Sequence, residues 1–107
     1  MLYLKEGVRA GGLRPEMAIV RQIATEVYAE HGADLTITSI ADGVHAATSK
    51  HYVGCAEDYR THHGVLPDDE TRYEVAAEIQ RRVGAEFWVR YEPDKWHIHA
   101  QWNGSHD

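Results

Sequence analysis

Two alternating apolar segments near the carboxyl end of the chain, EFWVRYE and KWHIHAQW, are separated only by Pro93 and Asp94. Such short spacing predicts two antiparallel strands joined by a tight turn at residues 93–95. Because side chains alternate between the two faces of a strand, His97 and His99 point to the same face of this hairpin. The hairpin thus constrains both the local topology and the positions of two imidazole rings.

The chain also contains two segments with helical signals. Residues 15–31 place four apolar side chains at helical spacing: Ile19, Val20, Ile23 and Val27. Pro15 suits the first turn of this helix, and Gly32 suits its C-terminal cap. The second predicted helix, within residues 67–85, has acidic side chains in its first turn, arginines in its last turn and Gly84 after them.

Two further strands are predicted from alternation within residues 33–42 and 56–61, with an irregular loop at residues 41–55 between them. The predicted order is therefore helix, strand, loop, strand, helix, hairpin. This order predicts an α+β fold over residues 1–107, taken as a single domain, in which two helices cover a small, mostly antiparallel sheet.

Composition argues against several classes of partner. The net charge of -6 disfavours a nucleic-acid binder and adhesion to anionic lipid, so neither nucleic acid nor membrane is an expected partner. The amino-terminal segment lacks the continuous apolar stretch of a signal peptide or anchor, so we expect synthesis in the cytoplasm without a signal peptide. The lone Cys55 excludes an intrachain disulfide and favours a reducing compartment.

The eight histidines raise the question of a metal site. Two histidines and a carboxylate form a ligand set that suits zinc, and a free carboxylate nearby can take a proton from the attacking water. If Glu92 pairs with His97 across the hairpin, both side chains lie on one face. The residues alone allow such a site but do not require it, and by themselves they favour an ordinary structural or surface role for these histidines.

Two motifs resemble a known superfamily. The stretch SKHYVGCAED resembles the H-x-x-G-x-A-x-D motif of zinc peptidases that include D-alanyl-D-alanine carboxypeptidases, phage L-alanyl-D-glutamate endopeptidases and the Hedgehog N-terminal signalling domain. The stretch FWVRYEPDKWHIHAQW is similar to the end of the same domain, where a strand ends in glutamate and leads into H-x-H. The resemblance runs from about Leu35 to Trp102 and is closest to the Hedgehog-like branch.

The resemblance implies a specific site and cofactor. Zn²⁺ would be held by His51, Asp58 and His99. Glu92 would be the general base that later protonates the leaving amine, and His45 and His97 would stabilise the developing oxyanion or orient the water.

The chain departs from the family pattern at two places. The gap between Glu92 and His97 is one residue longer than in the Hedgehog-like branch. The carboxypeptidase spacing would select Asp94 as base and His97 as ligand instead, and this register stays open beside the preferred one. Glu57 stands where the family usually has an apolar residue, which calls into question the packing behind Asp58.

The function that the resemblance implies is hydrolysis of an amide bond in peptidoglycan stem peptides, of the D-Ala-D-Ala carboxypeptidase or L-Ala-D-Glu endopeptidase type. The protein would act at the cell wall as a monomer, as a phage-encoded or small bacterial enzyme. The alternative is a non-enzymatic zinc domain that binds a protein or cell-wall partner, with the metal contributing to folding. His62 and His63 are interpreted as exposed loop residues that could rim a substrate groove.

Overall fold

The computed structural model describes residues 2–5, 15–41 and 56–103. Within these ranges the chain forms two α-helices packed on one face of a five-stranded sheet, so the predicted α+β fold is confirmed. The elements are β1 (Leu2–Leu4), α1 (Pro15–Glu30), β2 (Leu35–Ala41), β3 (Ala56–Arg60), α2 (Asp69–Val83), β4 (Phe87–Glu92) and β5 (His97–Trp102).

The strands lie side by side in the order β1-β2-β3-β5-β4. β1 and β2 are parallel, and the remaining neighbours are antiparallel, which agrees with the mostly antiparallel sheet that was predicted. The sequence did not predict β1. Its three residues are all exposed, and three residues are too few to display a burial pattern, so only backbone pairing with β2 defines this strand.

The predicted hairpin is confirmed. Residues Pro93–Lys95 form a single turn of 3₁₀ helix, and Trp96 then adopts a left-handed backbone conformation with φ 60°. This turn brings Glu92 directly opposite His97, the pairing expected from the sequence. Both side chains consequently lie on one face of the sheet.

Helix α1 confirms the first predicted helix and buries one of its faces. Its buried residues are Met17, Val20, Ala24, Val27 and Tyr28. These positions follow a spacing of three and four residues, which lines up one face of a helix. Ile19, one of the four residues whose spacing predicted the helix, falls outside that face and is 53% exposed.

Helix α2 ends before the glycine that the sequence predicts, and a side chain caps its start. The Asp68 side chain caps it by accepting a hydrogen bond from the Thr71 backbone N–H at 2.8 Å, and Gly84 follows its last turn with φ 92°. Gln80 attaches the helix to the sheet, since its side chain donates to the Phe87 carbonyl and accepts from the Val89 N–H. Neither α1 nor α2 is long and apolar enough to cross a lipid bilayer.

A charged network is buried between α1 and β3. The Glu57 side chain has no exposure and accepts hydrogen bonds from Arg21 Nη2 at 2.7 Å and from the Tyr59 hydroxyl at 2.8 Å. Burial raises the pKa of Tyr59, so its hydroxyl keeps its proton and serves as a donor. Glu57, which stands where the resembled family usually has an apolar residue, is therefore accommodated by two hydrogen-bonding partners. The packing behind Asp58 is intact.

This network makes a stability prediction. Arg21→Met leaves the Glu57 carboxylate buried without its cation and should lower the free energy of unfolding by about 3 kcal/mol. Arg21→Met combined with Glu57→Leu removes both charges and should recover most of that loss. Urea denaturation of the single and double variants measures both effects.

Arg81→Met is the matched control, because Arg81 pairs with Glu78 on the exposed side of α2. This variant should stay within about 0.5 kcal/mol of the parent protein. If Arg21→Met and Arg81→Met have the same free energy of unfolding, the buried pair does not hold α1 on the sheet.

Candidate functional site

The sheet face opposite the helices carries polar side chains in three rows. The pairing of β3, β5 and β4 aligns them across the strands. In order from the hairpin turn, the rows are Arg60, His97, Glu92; then Asp58, His99, Arg90; then Ala56, Gln101, Trp88. The alternating residues of β5, Ile98 and Ala100, are fully buried on the helix side. Strand alternation therefore puts four of the predicted site residues next to one another.

Asp58 and His99 form the first of two carboxylate–imidazole pairs. The Oδ1 atom of Asp58 lies 2.9 Å from Nδ1 of His99. The other ring nitrogen, Nε2, lies 3.0 Å from Oε1 of Gln101. Gln101 is held in that orientation because its Nε2 donates to Oδ1 of Asn103 at 2.6 Å. A carbonyl oxygen only accepts, so Nε2 of His99 carries a proton and Nδ1 faces the carboxylate.

Glu92 and His97 form the second pair. The Oε1 atom of Glu92 lies 2.7 Å from Nε2 of His97. Its Oε2 atom accepts hydrogen bonds from Arg90, at 3.1 Å from Nε and 2.9 Å from Nη2. The Arg90 guanidinium in turn lies 4.7 Å from the centre of the Trp88 ring, a cation–π arrangement. Glu92 is thus oriented from both of its oxygens.

The two pairs form one cluster. The Nε2 atom of His97 lies 3.5 Å from Oδ1 of Asp58, which connects the first pair to the second. The side chains of all four residues are between 14% and 23% exposed, so they are shielded yet reachable from solvent. Trp88 packs edge-on against His99, with ring centres 6.2 Å apart, and forms a wall beside the cluster.

The protonation of the cluster follows from these contacts. The hydrogen bond with Asp58 raises the pKa of His99, against an opposing effect of burial. Partial burial acts to raise the pKa of Glu92, but the hydrogen bonds from His97 and Arg90 outweigh it, and the net pKa lies below its usual value. Glu92 is therefore ionised at neutral pH, as a general base must be.

The structure brings together Asp58, Glu92, His97 and His99, as the predicted site requires. Two predicted residues, His45 and His51, lie outside the described residues. Asp94, the base in the alternative register, is exposed in the hairpin turn, whereas Glu92 directly contacts His97.

Two contributors were missed from the sequence, Gln101 and Arg90. Their strand positions share the face of the histidines, and that alternation was the available signal. His62 is half-buried and His63 exposed in the loop after β3. His62 stacks on Trp96 with ring centres 5.0 Å apart.

Two of the three metal ligands that the resemblance implies, Asp58 and His99, lie within the described residues. Among residues 2–5, 15–41 and 56–103, no group of three or more histidine, cysteine, aspartate or glutamate side chains is arranged to hold a metal ion. The third ligand implied by the resemblance, His51, lies outside these ranges. Asp58 and His99 therefore stand as two candidate ligands.

Comparison with protein-family models, with curated proteins and with solved structures found no match to this chain. The resemblance to zinc peptidases accordingly rests on the two sequence motifs.

The contact between Asp58 and His99 makes a prediction for the metal-free protein. His99 should titrate above its ordinary pKa of 6.5, and Asp58→Asn should bring its pKa down. Because the folded-state pKa is raised, the stabilisation is complete below about pH 6.5 and is lost as the pH rises through the pKa of the folded state. NMR titration of the imidazole carbons in chelator-treated protein measures this pKa.

Glu26→Gln is the control for this titration, since Glu26 lies on the exposed face of α1, where its side chain accepts a hydrogen bond from Gln22. It should leave the His99 titration unchanged. An unshifted His99 pKa in Asp58→Asn would contradict the assigned contact.

Proposed function

We propose that this protein is a zinc-dependent peptidase that hydrolyses an amide bond in peptidoglycan stem peptides, of the D-Ala-D-Ala carboxypeptidase or L-Ala-D-Glu endopeptidase type. The observation that supports the proposal is the contact between the two carboxylate–imidazole pairs on one face of the sheet. Asp58 and His99 offer metal ligands, and Glu92 with His97 lies directly beside them as an ionised base and its partner. The proposal places the protein at the cell wall.

The donor atoms of Asp58 and His99 fit a zinc ion. Two ligands of a tetrahedral zinc lie about 3.3 Å apart, as follows from zinc–ligand bonds of about 2.0–2.1 Å. Oδ1 of Asp58 and Nδ1 of His99 are 2.9 Å apart, so a small adjustment of either side chain would accommodate the ion.

Gln101 provides a second reason for the fit. Histidine ligands commonly donate their remaining ring N–H to a carbonyl or carboxylate group, which fixes the tautomer. The contact from Nε2 of His99 to Gln101 holds the ring so that Nδ1 is the nitrogen turned towards Asp58. His51 would complete the ligand set, as the resemblance implies.

Bound zinc would supply a Lewis acid that polarises the amide carbonyl and makes a water molecule more acidic. Oε1 of Glu92 would take the proton of the attacking water and pass it to the nitrogen of the leaving amine, so that amide and water become a carboxylic acid and an amine. Arg90 engages Oε2 of Glu92, and Oε1, which contacts Nε2 of His97, would be the atom that carries the proton. Nε2 of His97 would exchange this contact for a hydrogen bond to the oxygen on which negative charge develops.

One observation favours the non-enzymatic alternative. Both carboxylate oxygens of Glu92 already have partners, Arg90 on one side and His97 on the other. A carboxylate held at both ends also suits a rigid domain in which zinc contributes only to folding and a partner is bound. Activity of a Glu92 variant separates the two possibilities.

The test compares Glu92→Gln with Asp58→Ala in digestion of purified peptidoglycan, with products identified by mass spectrometry. Glu92→Gln removes the base and should lower the rate by about 100-fold or more while zinc is retained. Asp58→Ala removes a ligand and should lose both zinc and activity. Glu74→Gln on α2 is the control and should behave as the parent protein.

Two results would count against this assignment. Full activity in Glu92→Gln together with an inactive Asp94→Asn would show that the alternative register is the correct one. Zinc binding without hydrolysis in the parent protein would support the non-enzymatic domain.

A further inference from the structure

Four aromatic side chains form a row at the end of the sheet that carries the hairpin turn. Between ring centres, Tyr73 lies 5.0 Å from Tyr91, Tyr91 lies 6.4 Å from His62, and His62 lies 5.0 Å from Trp96. They come from α2, β4, the loop after β3 and the turn before β5. Tyr91 is buried, but the two outer rings are open to solvent, Tyr73 at 52% and Trp96 at 56%. This aromatic row is therefore a product of the fold with two exposed ends.

The exposed ring of Trp96 is held in position. It stacks on His62 with 16° between the ring planes, and Nδ1 of His62 lies 2.7 Å from the Thr61 hydroxyl. Trp96 also has a left-handed backbone with φ 60°. A residue with a Cβ adopts this conformation at a cost, and such residues are concentrated at functional sites. A large exposed ring that is fixed beforehand loses little conformational freedom when a ligand packs on it.

Carboxylates flank the aromatic row. The Asp69 side chain is 60% exposed and accepts a hydrogen bond from the Tyr91 hydroxyl at 2.7 Å. Hydrogen bonds from Tyr91 and Arg72 lower the pKa of Asp69, so it is ionised at neutral pH. Glu70 follows it in sequence, Asp94 precedes Trp96 by two residues, and both are exposed. Ionised carboxylates only accept hydrogen bonds, so a partner on this surface should bring donors and no negative charge.

The nearest group of cations lies at one end of the row. Lys5, Arg60 and Lys95 line a cleft of about 220 Å³ beside His97, together with Trp96. Among the described residues, the other three rings of the row are outside this lining, and the row runs from Trp96 towards the acidic start of α2. A polyanion laid along the row would pass from cations to carboxylates, so a neutral partner fits this surface better.

A pyranose ring meets both requirements. One of its faces presents C–H groups, which pack favourably on the electron-rich face of an aromatic ring. Its hydroxyl groups lie at the edge, where they can donate hydrogen bonds to carboxylates. A proline-rich peptide also docks on aromatic side chains, but proline has no N–H group and offers carbonyl acceptors to a surface that needs donors. The chemistry of the row therefore favours a sugar over a proline-rich peptide.

We propose that the aromatic row binds an extended neutral glycan, with one pyranose ring on Trp96 and another on Tyr73. Asp69 would accept hydrogen bonds from the sugar hydroxyls between them. No metal takes part, so the inference goes beyond the proposed peptidase function and does not depend on it.

The test measures glycan binding to chelator-treated protein. The probes are chitotetraose and cellotetraose, each compared with its monosaccharide, and NMR titration follows the Trp96 indole N–H. At least one tetramer should bind about 10-fold or more tightly than its monomer, because it reaches both exposed rings at once. If neither tetramer binds more tightly than its monomer, the proposal is overturned. Octaproline and a single-stranded oligothymidine are the competing classes of ligand, and tighter binding of either one would also overturn it.

Variants assign the binding to the row. Trp96→Asn removes the ring and places at this position a residue that tolerates left-handed backbone, so the turn should still form. It should weaken binding of the tetramer about 10-fold, and Tyr73→Ala about fivefold, since each removes one stacking surface. Ile19→Ala is the control, because Ile19 is an apolar side chain of similar exposure on α1. Urea denaturation checks that each variant is folded. Affinity equal to the parent in both ring variants would contradict the proposal.

Hydrolysis measured on the same preparations after zinc loading distinguishes this inference from the proposed function. If the tetramers bind through the row but peptidoglycan is not cleaved, the glycan surface stands and the peptidase function is wrong. If peptidoglycan is cleaved while neither tetramer binds more tightly than its monomer, the peptidase function stands and the glycan surface is wrong.

Discussion

The buried carboxylate of Glu57 is the constraint on which the arrangement of this sheet depends. A charge with no exposure must be paired, and Arg21 of α1 and the Tyr59 hydroxyl meet that requirement beneath the sheet. Since neighbouring side chains of β3 point to opposite faces, fixing Glu57 on the helix side fixes Asp58 on the open side. The register of β3 with β5 then sets His99 beside Asp58, and the hairpin sets Glu92 beside His97. Helix packing and site geometry are in this way determined together.

Sequence reasoning anticipated the parts of the fold that rest on local signals. Gly84 follows the last turn of α2, and the short spacing around Pro93 produced the hairpin, both as predicted. It was incomplete where structure depends on partners distant in sequence. Ile19 has helical spacing with its neighbours but turns away from the sheet, and β1 exists through backbone pairing with β2 rather than through its own pattern. The network around Glu57 was beyond prediction, because Arg21 is 36 residues away from it in the chain.

The same distinction applies to the candidate site. Alternation along one strand predicted that His97 and His99 share a face, and pairing across the turn predicted that Glu92 joins His97. The contact of Asp58 with His99 depends on the register of β3 with β5, which no local pattern reveals. It was expected only because the family resemblance implies that both residues bind zinc. The orienting contacts of Gln101 and Arg90, and the convergence of Lys5, Arg60 and Lys95 beside His97, depend on the assembled sheet.

Zinc stoichiometry tests the central claim, that Asp58 and His99 are metal ligands, most directly. Native mass spectrometry would be applied to untagged protein, purified without added metal or chelator and then titrated with zinc, for the parent chain, His99→Gln and His31→Gln. His31 is exposed just beyond α1 and serves as a matched histidine control. If Asp58 and His99 are metal ligands, the parent chain and His31→Gln each bind one zinc, and His99→Gln loses it. A parent chain that binds no zinc, or a His99→Gln chain that binds zinc as well as the parent does, would show that they are not.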